Sequence, residues 1–337
     1  MHWTDPDMDN GYEPWINLTM WQDSMPSDAL ARFQWEAQGI TRRTTAGPST
    51  RHYNEYAGYF VATQAIRQIE EAVANDEPFL CWTAFAEPHP PWYPPKDYYA
   101  LVDPESVRLP AQRPDDATRP HPVIEHQQRE WQHLTEYELR QILVGYYGLV
   151  ALGDSYIGMV LDALDRLGIR DDTAILFLSD HGEQLYEHRL FTKFCMREAS
   201  VHVPFLMSVP GVAPGPRDAL AEHVDVFPTI CDLVGTDAPA DLPGSSLVPL
   251  LHHETTPPDW RDTVYSEIVN VRTVGHIQMI RTADRKLNVY DGEPGELFAL
   301  DSDPDEFYNL ISDPRMSEDV AALTKRVRTW AAANTRA

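Results

Sequence analysis

The sequence predicts an α/β fold, in which a mostly parallel sheet carries helices on both faces and a small antiparallel sheet with a helix follows at the C-terminal end. Two continuously apolar runs, residues 79–85 and 173–179, are typical of strands buried on both faces. Each run follows a stretch with apolar residues at three- and four-residue steps, which indicates a helix. Alternating helices and buried strands predict parallel pairing, because a parallel connection needs a crossover.

The predicted elements follow one another along the chain. Helical periodicity begins at Tyr53, and a longer helix is predicted at about 136–167, where Gly168 can cap its end. A further strand is predicted at 205–209. Beyond residue 260, short strand-like pieces separated by short turns predict the antiparallel sheet, and an amphipathic helix at about 316–332 closes the chain.

These elements divide the chain into three parts: an irregular N-terminal segment at 1–52, a truncated α/β core at 53–247 and a C-terminal α+β subdomain at 248–337. The length of 337 residues suffices for one large α/β domain with a smaller appendage. A domain seldom opens with so long an irregular stretch as the first segment. We therefore expect that part of the fold lies upstream of Met1.

The net charge of −25, from 52 acidic and 27 basic residues, limits the binding partners. Such a chain is a poor candidate for binding nucleic acid or an anionic membrane. Three cysteines without a paired spacing predict no disulfide framework. No run predicts a membrane span, and the polar start does not predict a signal peptide. The chain as given is expected in the cytoplasm, the location being open if the true N-terminus is missing, and a homo-oligomer is compatible with the sequence.

Both apolar runs end in residues that can bind a cation or carry a proton. His89 follows the first run, and Asp180 and His181 follow the second. In open parallel sheets, ligands bind outside the carboxyl ends of the strands. A carboxylate beside an imidazole suits a divalent cation. The Asp-His-Gly triplet taken alone is more often a turn whose aspartate caps a helix.

The longer sequence around this triplet favours a functional role over a simple turn. Residues 178–204 resemble the signature of the sulfatase family, in the alkaline phosphatase superfamily, with a strand, a Ser-Asp-His-Gly-Glu turn, a loop with a lysine and a Val-x-Val-Pro segment. The family's flanking segments resemble residues 79–91, 225–229 and 295–306. The resemblance implies an alkaline-phosphatase-like fold. It extends to the phosphonate monoester and phosphodiester hydrolases that share the signature.

The resemblance also implies a role for each matching residue. Asp180 and His181 match metal ligands, and Lys193 matches a lysine that contacts the transferred anionic group. His89 matches a histidine that hydrogen-bonds the ester or its leaving oxygen, and His188 lies where it can contact substrate. Without the signature, Lys193 would be a solvated surface charge and His89 a histidine held in a turn between prolines.

Other parts of the family pattern are not found in this sequence. Members of the family have paired aspartates after an N-terminal strand and a Cys/Ser-x-Pro-Ser/Thr-Arg motif, whose first residue is oxidised to the formylglycine nucleophile. None of the three cysteines has proline two residues later, and residues 46–51 (Ala-Gly-Pro-Ser-Thr-Arg) are a coincidental match. Residues 11–15 resemble a segment that lies downstream of the nucleophile in relatives. We therefore expect a truncated chain with little or no activity alone.

Three departures affect the loop after the metal residues. Thr192 stands in place of a glycine, Glu187 in place of an aspartate, and His202 in place of an arginine. These changes leave the predicted ligands intact but put the geometry of the loop in question.

The predicted function is hydrolysis of sulfate esters with a divalent metal, for which calcium is expected and manganese is compatible. The expected substrate is a small anionic ester. One alternative is a phosphonate monoester or phosphodiester hydrolase, and another is a non-catalytic sulfatase remnant. A two-metal enzyme would need further ligands, and the histidine-rich stretch from His121 to His133 is more typical of a solvated surface.

Overall fold

The computed structural model describes residues 18–37, 46–111, 113–252, 256–269 and 275–334. The chain forms two compact units. The first contains the described residues up to Leu109 together with His133–Asp172, and the second contains Pro110–Gln132 and the chain from Thr173 onward. These units cut across the boundaries proposed at residues 52 and 247, which stay predictions of domain organisation.

Among the described residues, the first unit contains helices, and the second contains both helices and the six strands. The helices are α1 (Leu18–Ser24), α2 (Ser27–Ala37), α3 (Ala57–Ala74), α4 (Lys96–Tyr99), α5 (Pro122–Gln128), α6 (Glu136–Leu167), α7 (Glu198–Val201), α8 (Val226–Leu233), α9 (Val248–Leu251) and α10 (Ser317–Asn334). The strands are β1 (Ile175–Leu178), β2 (Phe205–Ser208), β3 (Val264–Val269), β4 (His276–Arg281), β5 (Arg285–Tyr290) and β6 (Glu293–Ala299).

Two short helices, α1 and α2, lie in the N-terminal segment that was predicted to be irregular. The rings of Trp21 and Phe33 meet edge to face at 5.0 Å, and Arg32 forms an ion pair of 2.8 Å with Asp28 one turn away. Helices of two or three turns present too few repeats for a periodic pattern to stand out in the sequence. The prediction is therefore wrong for these two helices, whereas residues 46–52 are irregular apart from two isolated bridges.

Helix α6 is the main element of the first unit, and its sequence sets both ends. Thr135 and Glu138 form a reciprocal capping box at its start, and Gly168 ends it in the left-handed conformation with φ +71°. The helix lies so close to the segment before α4 that a Cβ on Gly145 would be 2.5 Å from the carbonyl oxygen of Trp92.

By length and composition, α6 could cross a membrane, which corrects the expectation that no run is long enough. Half of the most apolar stretch of this helix is buried inside the structure, and residues such as Ile142 and Leu152 are fully buried. A core helix has the same properties, so the finding is weak evidence for a span.

The first predicted strand, residues 79–85, has no regular secondary structure and no strand partner within the described residues. Leu80 is 62% exposed and Trp82 69% exposed, so burial on both faces is wrong for this segment. Alternate residues, such as Cys81 and Thr83, are half-buried. One face of the segment is thus covered, and an apolar run cannot bury its second face without a second layer against it.

The second predicted strand is present as β1, but its pairing differs from the prediction. It pairs with β2 in the antiparallel direction, and Phe177 lies opposite Leu206. Parallel pairing in the described chain is limited to two isolated bridges, Ala46 with Trp92 and Ser49 with Pro95. Apolar composition shows that a strand is buried and does not give its direction, which depends on how the chain returns.

The C-terminal sheet is confirmed, with strands in the order β3-β4-β5-β6 and antiparallel throughout. Alternation along β5 places Leu287 and Val289 on one face. That face packs with Leu297 against Leu323 and Val327 of α10, and all five residues are buried. The α/β class predicted from the sequence, with a small C-terminal antiparallel sheet and helix, is therefore observed.

Candidate functional site

Asp180 and His181 lie at the carboxyl end of β1, as predicted, with Ser179 between them and the strand. The backbone N–H of His181 donates to Oδ1 of Asp180 at 3.0 Å, and the hydroxyl of Ser179 donates to the carbonyl of His181 at 2.8 Å. The side chain of Asp180 is 73% exposed. These local bonds hold the turn while leaving a carboxylate that solvent and a ligand can reach.

The hydrogen bonding of His181 determines which ring nitrogen carries the lone pair. Nδ1 lies 2.8 Å from the carbonyl oxygen of Gly182, and a carbonyl can only accept, so Nδ1 carries the proton. Nε2 then has the lone pair, and it lies 3.5 Å from Oδ2 of Asp180. A histidine that donates its other N–H to a backbone carbonyl is the usual arrangement around a bound metal.

The two side chains fit a hard divalent cation. Calcium binds its ligands at about 2.3–2.6 Å, and two donors 3.5 Å apart can both lie at that distance from one ion. Two donors are fewer than calcium requires. Across the part of the chain that the structure describes, no group of three or more His, Cys, Asp or Glu side chains could hold a metal.

The loop between Gly182 and Arg197 has an unusual backbone. Leu185, Tyr186, His188, Arg189 and Thr192 all have positive φ, which for residues other than glycine costs free energy. Such conformations persist only where the surrounding contacts impose them. This loop is therefore strongly constrained.

Glu183 supplies two of those constraints. Its carboxylate accepts from the backbone N–H of Thr192 at 2.5 Å and of Leu185 at 3.4 Å. Burial raises the pKa of Glu183, and those N–H groups and the ammonium of Lys193 partly offset the rise. Thr192, which stands where the family pattern has glycine, has φ +67°. The bond to Glu183 explains how a threonine is held in a conformation that glycine adopts without strain.

Lys193 follows directly and is half-buried. Its carbonyl oxygen accepts from the hydroxyl of Ser200 at 2.9 Å, which fixes the backbone of the lysine to α7. The same residue, Ser200, accepts through its carbonyl from the N–H of Gly182 at 2.8 Å. Lys193 and the turn after Asp180 are thus attached to one short helix.

His188 is in the same loop, with its ring centroid 5.0 Å from that of Phe307. Burial, together with the positive charge of Arg197, lowers its pKa to about 3, so the ring is neutral at neutral pH. A neutral imidazole packed on an aromatic ring is a structural contact. Its predicted contact with substrate stays a prediction.

His89 belongs to the first unit and is exposed in the turn that follows residues 79–86. Its N–H donates to the carbonyl of Ala86 at 2.9 Å, and its Nδ1 lies 2.8 Å from the carbonyl of Pro90. Because a carbonyl can only accept, Nδ1 is the protonated nitrogen. The peptide bonds before Pro88 and Pro91 are cis. The role of His89 as a general acid stays a prediction.

Comparison with known proteins identifies the chain. A family model described as sulfatase matches residues 9–236, and one described as the C-terminal part of N-sulphoglucosamine sulphohydrolase matches residues 186–333. The chain belongs to the sulfatase family. The resemblance seen in residues 178–204 is therefore confirmed, together with membership of the alkaline phosphatase superfamily.

Curated relatives include sulfatases and a broader hydrolase. Arylsulfatase K of Danio rerio is 39% identical over 177 residues, or 50% of this chain and 33% of its own length. The multifunctional alkaline phosphatase superfamily protein PehA of Trinickia caryophylli is 33% identical over 57% of this chain and 41% of its own length. Choline-sulfatase of Rhizobium meliloti is 29% identical over 96% of this chain and 66% of its own length. The chain thus spans less than two thirds of the length of each of these relatives.

Solved structures of similar fold include the phosphonate monoester hydrolase SpPMH from Silicibacter pomeroyi, with TM-score 0.76 and 28% identity over 86% of this chain and 62% of that chain. A protein solved with its substrate, D-glucosamine-2-N,6-O-disulfate, has TM-score 0.75 and 22% identity over 82% of this chain and 70% of its own. The second likeness concerns the fold alone.

The segment that holds the site loop from the other side was not predicted from the sequence. The side-chain amides of Gln127 and Gln128 donate to the carbonyls of Phe194 at 2.9 Å and His188 at 2.7 Å. The ring of Trp131 meets that of Phe191 at 5.0 Å, and Trp131 is 5% exposed. Ile124 and Trp131 are large apolar residues in an otherwise polar stretch, and they could have indicated that this segment packs against another part of the protein.

The histidine-rich stretch is accordingly not a uniformly solvated surface. The ring of His121 stacks on that of Tyr290 with centroids 3.7 Å apart, and burial lowers its pKa. Its Nδ1 accepts from the N–H of Val123 at 3.4 Å, which caps α5. The interpretation as a solvated surface is wrong for His121 and holds for His126 and His133, which are exposed.

Proposed function

We propose that this protein is a metal-dependent hydrolase of sulfate esters. The observation that carries the proposal is the placement of Asp180 and His181 at the end of β1 in a chain of the sulfatase family, with ring and carboxylate atoms 3.5 Å apart. Relatives named arylsulfatase K and choline-sulfatase support sulfate over other esters. The expected substrate is a small anionic ester.

The residues then divide the work by their chemistry. The sulfatase family generally uses a divalent metal and a formylglycine nucleophile. Asp180 and His181 would hold the metal, which when bound supplies positive charge beside the reacting group. The ammonium of Lys193 would neutralise charge on the non-bridging oxygens, and His89 would donate a proton to the leaving oxygen.

The complete Cys/Ser-x-Pro-Ser/Thr-Arg motif does not occur in this sequence, so we assign no residue as the nucleophile. Without a covalent nucleophile, positioning and charge stabilisation are what remain. We therefore propose that the chain assayed alone binds metal and anionic esters but turns them over slowly. Calcium is the proposed metal, and manganese is the alternative that His181 tolerates.

A second candidate is hydrolysis of phosphonate monoesters. It is favoured by the likeness to SpPMH, a phosphonate monoester hydrolase, at TM-score 0.76 and 28% identity. Sulfate and phosphonate monoesters present similar anionic oxygens to the same lysine. Parallel assays with an aryl sulfate and an aryl phosphonate monoester distinguish the two candidates.

The test of the proposal is calorimetric titration of the purified chain with calcium. We expect saturable binding that Asp180→Asn and His181→Gln each weaken by roughly tenfold or more, since each removes one of two protein ligands. Asp237→Asn changes an exposed aspartate in the same unit and should leave the affinity unchanged. Wild-type protein that binds no calcium or manganese, or variants that bind as well as wild type, would overturn the proposal.

A further inference from the structure

The C-terminal sheet has two buried faces with opposite chemistry. One is the apolar face that packs on α10. On the other, β5 presents Lys286, Asn288 and Tyr290, which alternate along the strand and are 0%, 0% and 6% exposed. Lysine is almost never fully buried unless it is paired. The second face therefore requires partners from outside the sheet.

Two glutamates provide the partners of Lys286. Its ammonium lies 2.8 Å from Oε1 of Glu198 and 2.6 Å from Oε1 of Glu306. Glu306 is 3% exposed, and its Oε2 accepts from the backbone N–H of Glu198 at 2.7 Å. Arg281 adds a second cation beside Glu198, with Nε at 3.2 Å. Charges of both signs are thus matched, with Lys286 and Glu306 buried and the side chains of Glu198 and Arg281 each 20% exposed.

Glu296 is the centre of the neighbouring part of the network. It is fully buried and accepts from the hydroxyl of Tyr290 at 2.6 Å, the amide of Asn288 at 3.1 Å and Nη2 of Arg197 at 2.7 Å. Burial alone would raise the pKa of Glu296, but Arg197 and these hydrogen bonds outweigh it and lower the pKa. Nη1 of Arg197 also donates to the carbonyl of Glu306 at 2.7 Å.

The network meets the candidate site at α7. Arg197 and Glu198 stand at the start of this helix, and Ser200 within it binds both the N–H of Gly182 and the carbonyl of Lys193. Gly182 lies so close to the helix that a Cβ there would be 2.0 Å from the carbonyl oxygen of Ala199. The position of α7 therefore determines the positions of the turn after Asp180 and of the Lys193 backbone.

We propose that Arg197, Glu198, Lys286, Glu296 and Glu306 form a buried charge network whose role is to position α7, and through Ser200 the Asp180–His181 turn and Lys193. These five are positioning residues, because the described contacts place them on the scaffold side of α7. A helix of one turn is not stable through its own hydrogen bonds. Its position therefore depends on contacts with other elements, and the ion pairs of this network provide them. The inference rests on the proposed function for the identity of the site.

Hydrogen exchange of the full chain, read by mass spectrometry, tests the network through two variants of similar size. Arg197→Met removes the cation that pairs with Glu296, whereas Arg197→Lys keeps a positive charge there. We expect Arg197→Met to speed exchange in residues 182–201 by roughly ten- to a hundredfold, and Arg197→Lys to restore part of the protection. Exchange at Leu287 and Val289, on the apolar face, should change much less. Arg315→Met, at an arginine whose side chain is 83% exposed, is the matched control.

Equal effects of Met and Lys at position 197, or equal acceleration in β5, would show that Arg197 only fills space and would overturn the proposal. If Arg197→Met does not fold, Ser200→Ala decides, since it removes the link to Lys193 without touching a charge. We expect it to speed exchange at residues 182–193 by roughly tenfold at an unchanged melting temperature. No change in exchange would refute the link.

Calcium titration of the same variants keeps the two proposals apart. Weaker calcium binding by Arg197→Met, with recovery in Arg197→Lys, supports positioning of the site. Wild-type protein that binds no calcium defeats the proposed function, whereas the exchange comparison still decides whether the network holds the loop.

Discussion

The C-terminal sheet and the β1–β2 pair are both antiparallel and both rich in apolar residues, yet they differ in burial. Leu287 and Leu297 of the C-terminal sheet are 0% exposed, whereas Phe177 and Leu206, opposite each other in the β1–β2 pair, are 41% and 58% exposed. The first sheet has α10 against its apolar face. An apolar side chain in a strand is thus buried by the layer that packs on it, and its own hydrophobicity does not ensure that layer.

The largest effect is expected from truncating a leucine in each sheet. Leu297→Ala leaves a cavity in a closed core and should lower the free energy of unfolding by about 2–5 kcal/mol. Leu206→Ala removes a side chain that is 58% exposed and should cost about 0.5 kcal/mol or less. Urea unfolding of both variants measures the difference. Equal losses would break the comparison, because they would mean that another surface covers Leu206 in solution.

The burial of the loop between β1 and α7 is intermediate between that of the C-terminal sheet and that of the β1–β2 pair. The pH dependence of stability tests whether the ring of His188 in this loop is buried. The pKa of His188 is lowered by burial to about 3, below its ordinary value of 6.5. Between those two pH values the unfolded chain binds a proton that the folded chain does not, so stability is complete above pH 6.5 and falls as the pH is lowered towards 3. At about 1.4 kcal/mol per pKa unit, we expect His188 to account for up to about 5 kcal/mol of that loss over the whole range.

The measurement is urea unfolding between pH 7 and pH 4, a range in which His188→Asn should show a shallower fall in stability than wild type. Asparagine tolerates the positive φ at this position, so the backbone need not change. His126→Gln alters an exposed histidine of α5 and serves as the control. Parallel pH profiles for wild type and His188→Asn would contradict the burial of this ring.

The smallest effect concerns α6, an element stabilised by local sequence as well as by packing. Thr135→Ala removes the hydroxyl that accepts from the N–H of Glu138 at 3.3 Å and should cost about 1 kcal/mol. Thr135→Ser keeps an acceptor and should recover most of the loss. Thermal unfolding compares the two. A serine variant as unstable as the alanine variant would show that the cap is not the cause.

The sequence by itself determined the features that depend on local patterns. The caps of α6 at Thr135 and Gly168, the alternation in β5 and the carboxylate–imidazole pair at 180–181 can all be read from neighbouring residues, because each rests on a repeat or a motif of short range. Family membership followed from the spacing of such motifs over residues 178–204.

Tertiary structure alone decided which surfaces meet. Contacts between residues far apart in the chain include the antiparallel pairing of β1 with β2, the hydrogen bonds from Gln127 and Gln128 to the loop, and the ion pair of Arg197 with Glu296. The exposure of Leu80 likewise depends on which elements pack against it. A pattern of nearby residues shows that a side chain needs a partner but does not identify it. That is why Lys286, a charged residue in a strand, gave no sign in the sequence that it lies fully buried between two glutamates.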